Sequence, residues 1–174
     1  MQEPSDILSS IIIRSLEKRD LPDLEWNGAY THYRKLFQIA FDRLRNRKGL
    51  AWLVEIPQQG LVGQVFIQLV CNRLELADGI TRAYLYSFRV KPAFRNLGIG
   101  KALLNYCEQD LIQRRMSYVT LNVAKDNKAA IKLYLNHGYE ILAPEPGIWQ
   151  YQDHMGVWHQ VIEPAWRMEK RLVP

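Results

Sequence analysis

The stretch that most constrains this chain is residues 84–113. An apolar and aromatic run, Tyr84-Leu85-Tyr86-Ser87-Phe88-Arg89-Val90, leads through Lys91-Pro92-Ala93-Phe94 into Arg95-Asn96-Leu97-Gly98-Ile99-Gly100-Lys101-Ala102. Beyond it Leu103, Cys107 and Leu111 recur at steps of four, which is the period of a helix face. The order is strand, glycine-bearing loop, helix. Such a loop leaves backbone N–H groups unpaired at a helix start, where the helix dipole adds partial positive charge. A phosphate or pyrophosphate fits there, and glycine lets the anion approach the backbone. Two common versions fail on inspection. A P-loop needs GxxxxGK[ST], but Arg95 stands at the first glycine and Ala102 at the hydroxyl position. A dinucleotide fingerprint needs a third glycine where Leu103 stands.

The remaining bounds are those of one folded domain spanning residues 1–174, with 48% apolar and 24% charged residues. Only the first few residues are exempt from that expectation. The net charge of +5 reads as ordinary surface lysine and arginine, and it is compatible with an anionic ligand. No clustered basic face with interleaved aromatics points to a nucleic acid. Cys71 and Cys107 lie far apart with no secretory signal, which predicts reduced thiols and a cytoplasmic protein. No ligand spacing predicts a metal. No apolar run is long enough to span a bilayer, so no membrane partner is expected.

Taken in order, Ile11-Ile12-Ile13-Arg14-Ser15-Leu16 predicts a first strand. A helical region follows, with Asp20 as N-cap, a possible break at Gly28, and an apolar face of Tyr33, Leu36, Phe37, Ala40, Phe41 and Leu44 reaching to about Arg47. Strands are predicted over residues 50–56 and 61–76, joined as a hairpin, and then over 84–90 and 117–123. Asp126 and Asn127 cap a helix that stops at Gly138, and a strand begins at Tyr139. Residues 149–153 and 157–162 flank a hairpin tip at His154-Met155-Gly156, and residues 165–172 close the sheet. This is an α/β fold with a mixed sheet.

The R-x-x-G-x-G sequence after a strand ending in Val90-Lys91-Pro92 resembles the acyl-CoA-binding motif of the GCN5-related N-acetyltransferases, the GNAT superfamily. A second pattern stands at the right distance. Asn127, Ala130, Leu133, Tyr134, Gly138 and Tyr139 resemble N-x-x-A-x-x-L-Y-x-x-x-G-F, with tyrosine in the last place. The resemblance covers residues 11–172 and implies a mostly antiparallel central sheet flanked by helices.

It further implies acetyl-CoA as acyl donor. Backbone N–H groups of Leu97, Gly98, Gly100, Lys101 and Ala102 would hold the pyrophosphate, with Ile99 lining the same cofactor-binding loop. Phe88, Arg89 and Val90 would run beside the pantetheine, Arg95 and Lys101 would meet phosphate charge, and Asn127 would bond the cosubstrate. Tyr134 would be the acid: a phenol titrating near 10 keeps its proton at neutral pH and can give it to a departing thiolate, which titrates near 8.5. The strand before the loop carries no carboxylate base. Glu75 and Asp78 read as a turn, so base work falls to waters held by Tyr84, Tyr86 or Ser87, which favours an amine of low pKa. The acceptor amine, small molecule or protein, would sit among residues 26–41, 75–81 and the hairpin near His154. A non-catalytic acyl-CoA sensor keeps the same loop and stays open, as does a homodimer formed through the tryptophan-rich tail.

Overall fold

The computed structural model of the chain describes residues 4–173. It begins with a short helix, α1 (Pro4–Ser10), which the sequence pattern did not announce. Of the first few residues, exempted above from the folded domain, 1–3 lie outside the described residues. Strand β1 (Ile12–Ser15) then enters a seven-stranded sheet. Its other members are β2 (Gly49–Ile56), β3 (Gly60–Gln68), β4 (Arg82–Val90), β5 (Tyr118–Ala124), β6 (Glu140–Glu145) and β9 (Ala165–Arg171). The hairpin strands β7 (Ile148–Gln152) and β8 (Trp158–Ile162) pair only with each other.

The order across the sheet is β1-β2-β3-β4-β5-β9-β6, and only the β4–β5 pair is parallel. The mixed, mostly antiparallel sheet flanked by helices therefore stands as expected. One detail is corrected: β9 does not close an edge but lies between β5 and β6. Strand order is set by long-range register, which a local pattern does not encode. The strand expected over residues 61–76 ends at Gln68. Past it, Leu76 N–H and Ala77 N–H both turn back to the Arg73 carbonyl, leaving an isolated bridge between Val70 and Asp78.

Each face of the sheet carries its own core. On one face α3 (Ile99–Gln113) and α4 (Lys128–Asn136) cover Val65, Leu85, Val119, Leu121 and Met168. On the other, α2 (Arg34–Arg45) brings Phe37 and Ala40 onto Leu53 and Phe66. The helical region before α2 is two 3-10 segments, Lys18–Glu25 and Thr31–Tyr33, separated by positive φ at Trp26, Asn27 and Gly28. Asp20 does not cap from outside. It occupies the third helical position and its carboxylate accepts from the Glu17 N–H, completing a capping box.

Candidate active site

The site begins where two strands part. β4 and β5 pair only over Arg82–Leu85 with Tyr118–Leu121. Beyond that point β4 continues through residues 86–90 with no strand beside it on the β5 side, so its backbone groups there await a partner. At Ser87 the backbone adopts φ 51°, and the β3–β4 register shifts between Gln64 and Phe66. A bulge of this kind re-aims the side chains that follow. Tyr84 and Tyr86 stack on the α2 face, with ring centroids 5.8 Å apart. After the bulge Phe88 lies on the α3/α4 face, and Arg89 takes the α2 face against Tyr30. Simple alternation from Tyr86 would have given the opposite.

On the α3/α4 face, Gly98 caps α3 with φ 82°, a conformation that favours glycine. The N–H groups of Leu97, Gly98, Ile99, Gly100 and Lys101 make no backbone hydrogen bond among the described residues. The Ala102 N–H, by contrast, donates to the Gly98 carbonyl at 3.0 Å, because it is the first residue with a carbonyl one full turn behind it. A Cβ on Gly100 would lie 3.5 Å from Phe88 Cζ, in the narrow gap between loop and strand. Arg95 is exposed, and its Nε donates to the Val90 carbonyl at 2.9 Å, tying the loop to the end of β4. Lys101 is exposed at the helix start.

Tyr134 is 5% exposed on α4, its ring 6.1 Å from Phe88. Burial pushes its phenol well above the ordinary tyrosine range, so it stays protonated at neutral pH. Asn127 caps α4, its Oδ1 accepting from the Ala130 N–H at 3.1 Å. The amide N–H groups of that side chain are left for other partners. Behind Tyr134, Tyr139 donates to the buried Glu108 of α3 at 3.0 Å, and Lys170 of β9 lies 2.6 Å from the same carboxylate. The end of α4 is thus bound to α3 and the sheet. Glu108 was missed in sequence because it falls inside an otherwise apolar helix face.

The α2 face of the cleft is aromatic. The Arg89 guanidinium lies 4.1 Å from the Tyr30 ring centre and 5.2 Å from that of Tyr33, and Nη1 is buried without a hydrogen-bond partner. Tyr33 meets Tyr151 of β7 edge-on at 4.9 Å and Trp149 at 6.2 Å. Tyr151 stacks on His159 of β8 at 5.0 Å, and His159 Nε2 lies 2.7 Å from Asp153. Among the described residues, no carboxylate reaches Arg89 within ion-pair distance. Asn122, one residue past the last β4–β5 pair, holds a buried Oδ1 with no partner among them.

The expected alternatives for a base fall into place as structural groups. Asp78 resists burial by accepting from Thr81 Oγ1 and from the N–H groups of Ile80, Thr81 and Arg82, which holds its carboxyl far below the usual range. Glu75 is exposed and pairs with Arg73 at 2.8 Å. Burial pushes Tyr84 up to about 12 and raises Tyr86 as well, so neither phenol ionises near neutrality.

Residues 13–139 match the acetyltransferase (GNAT) family, and the chain belongs to it. An uncharacterized N-acetyltransferase of Methanocaldococcus jannaschii is 28% identical over 151 residues, covering 79% of this chain and 64% of the relative. The match thus spans just under two thirds of that protein's length. Among solved structures, Ard1 from Thermoplasma volcanium aligns with a TM-score of 0.72 at 20% identity, over 95% of this chain and 99% of that one. The ribosomal-protein-S18-alanine N-acetyltransferase of Escherichia coli gives 0.70 at 23%, over 94% and 95%. The spermidine/spermine N-acetyltransferase SpeG of Vibrio cholerae gives 0.69 at 16%, over 95% of each. These likenesses are of fold.

Proposed function

We propose that the chain acts as one domain that transfers an acetyl group from acetyl-CoA to a primary amine by direct attack. The observation that carries this reading is the split between β4 and β5. It sets five free N–H groups and a protonated, buried tyrosine on one face, and opens on the other face to an aromatic cleft. Leu97 to Lys101 form a cradle for a pyrophosphate, with Lys101 and Arg95 adding charge. The rim of β4 at residues 88–90, which has no strand beside it, can bond the amides of pantetheine, as a strand would. Asn127 can add a side-chain amide donor.

The amine reaches the thioester carbon through the split. Nitrogen forms its bond to the carbonyl carbon, the carbon–sulfur bond breaks, and sulfur leaves with the electron pair. Tyr134 donates its hydroxyl hydrogen to that sulfur. The desolvation that raises the phenol also disfavours a bare thiolate in the same pocket, so donation remains useful. With Tyr84 and Tyr86 neutral, the proton lost by the amine passes to water, water returns a proton to the Tyr134 phenolate, and Asn122 Oδ1 is an acceptor for an amine N–H. An amine that is partly neutral at physiological pH suits this arrangement. A cytoplasmic setting goes with the free Cys71 and Cys107 thiols.

The test is release of CoA thiol from acetyl-CoA over a panel of primary amines, with Tyr134→Phe beside the parent. Transfer by the parent that falls in the variant while acetyl-CoA affinity holds is the expected result. Tight acetyl-CoA binding with no transfer to any amine would favour the sensor reading instead.

A further inference from the structure

The cleft on the α2 face contains a charge that the fold does not neutralise. Arg89 follows the Ser87 bulge, so its side chain leaves the strand on the face opposite Phe88 and Tyr134. Its guanidinium lies against Tyr30 and Tyr33, with Nη1 sealed from solvent and no acceptor within reach among the described residues. Burial lowers its pKa, against an opposing effect of Tyr30 and Tyr33. A buried donor without a partner costs stability, and more so when it is charged. Every other arginine with a carboxylate nearby uses it: Arg14 with Asp20 and Glu55, Arg34 with Glu25, Arg73 with Glu145. Arg89 differs because none of the described carboxylates comes within ion-pair distance, while two neighbouring tyrosine rings, Tyr30 at 4.1 Å and Tyr33 at 5.2 Å, lie against it. A planar guanidinium held against aromatic rings, with one nitrogen buried and the residue half-exposed, is suited to bidentate capture of a carboxylate.

We propose that Arg89 anchors a carboxylate on the acceptor, which makes the acceptor an amino acid rather than a polyamine. This rests on the acetyltransferase reading above and deepens it. Arg89 stands on the part of β4 that has no β5 strand beside it, so a carboxylate at its guanidinium keeps the amine of a short molecule on the α2 side of the split. Tyr33, Trp149 and Tyr151 supply the apolar wall for the body of that molecule. A polycation gains nothing here. Spermidine would bring positive charge towards a guanidinium that no carboxylate screens, and like charges in a dry site repel strongly. The fold shared with a spermidine/spermine N-acetyltransferase therefore does not extend to the acceptor.

The experiment measures acetyl transfer from acetyl-CoA to the twenty proteinogenic L-amino acids, to the α-amide of each, and to spermidine. Parent, Arg89→Gln and Arg89→Lys are compared, with acetyl-CoA affinity measured separately by calorimetry. At least one amino acid should be acetylated with kcat/KM about 10²–10³-fold above its amide, the range expected when a buried charge pair loses one partner. Arg89→Gln, which changes the side chain on the α2 face and keeps the β4 backbone, should abolish that preference by raising KM for the acid. Arg89→Lys should recover part of it. Equal rates on acids and amides, a preference for spermidine, or no turnover of any acid by a protein that binds acetyl-CoA overturns the proposal. Preference for an amide or for spermidine leaves the acetyltransferase reading standing. Failure to bind acetyl-CoA removes both.

Discussion

The two faces of the split sheet are built in different ways. The α3/α4 face is assembled from two contiguous stretches, residues 88–102 and 127–139, and packs into the larger core around Leu85, Leu103 and Leu121. The α2 face gathers Tyr30, Tyr33, Arg89, Tyr151 and His159 from four separate segments, and much of it is aromatic contact with a hairpin outside the main sheet. The first has the character of a fixed donor site, since backbone N–H groups in a rigid loop cannot rearrange far. The second has the character of an acceptor site, where loops on a constant scaffold set specificity. On the function proposed above, one face would hold the acyl donor and the other the acceptor.

The largest effect should come from Tyr134 on the α3/α4 face. Tyr134→Phe keeps the ring and its packing on Phe88 and Tyr139. It should lower kcat by roughly 10²–10⁴, the usual worth of a positioned acid, with little change in KM. Steady-state kinetics with the best amine of the panel would check this, and the loss should shrink with a thioester whose thiol is more acidic. Parent-like turnover in Tyr134→Phe would move the acid role to water.

Tyr139→Phe probes the support behind the donor face. It leaves the buried Glu108 with one hydrogen bond fewer, a loss of about 1.5–3 kcal/mol for a bond to a charged group. Denaturant unfolding should show the drop. Gly98→Val forces a branched residue into φ 82° and against Leu8 Cδ1, which a Cβ would approach to 3.1 Å. About 1–2 kcal/mol of stability should be lost, mostly through the backbone, so any fall in acetyl-CoA affinity must be read beside the melting curve.

The smallest effect belongs to the hairpin on the acceptor face. The bond from His159, together with the Val157 and Met155 N–H groups, holds Asp153 down at about 2. A carboxyl depressed in the folded state contributes stability that is fully present above its unfolded value near 3.8 and is lost as pH falls through about 2. Acid titration followed by tryptophan fluorescence should report a change in that window, and Asp153→Asn should remove it. Identical titrations would detach the hairpin from the cleft.

What could be read in the sequence follows the same division. The glycine loop, the Asn127 cap and Tyr134 are local features whose backbone requirements fix residue type at fixed spacing. The Arg89 side chain was not legible, because alternation along β4 assigns it to the cofactor face and a single residue, Ser87 at φ 51°, reverses that assignment. Nothing in Tyr86-Ser87-Phe88 announces a bulge. The Arg73, Glu75, Glu145 and Arg167 cluster was equally hidden, since it depends on β9 lying beside β6. Even the α2 stripe, correctly apolar, gave no sign that Tyr33 at its start would turn towards Tyr151.

The most direct test of two faces with separate duties is calorimetric titration of acetyl-CoA into the parent, Gly100→Val and Arg89→Gln under one set of conditions. A Cβ on Gly100 lies 3.5 Å from Phe88 Cζ and 3.8 Å from Leu133 Cδ2, so valine there would fill the gap between loop and β4 that the proposed cosubstrate needs. Loss of even one charge-assisted bond, about 1.5–3 kcal/mol, should weaken binding by roughly tenfold or more. Arg89→Gln should bind acetyl-CoA as the parent does, because its side chain lies on the other face. A folded Gly100→Val that binds like the parent, or an Arg89→Gln as weakened as Gly100→Val, would contradict the division.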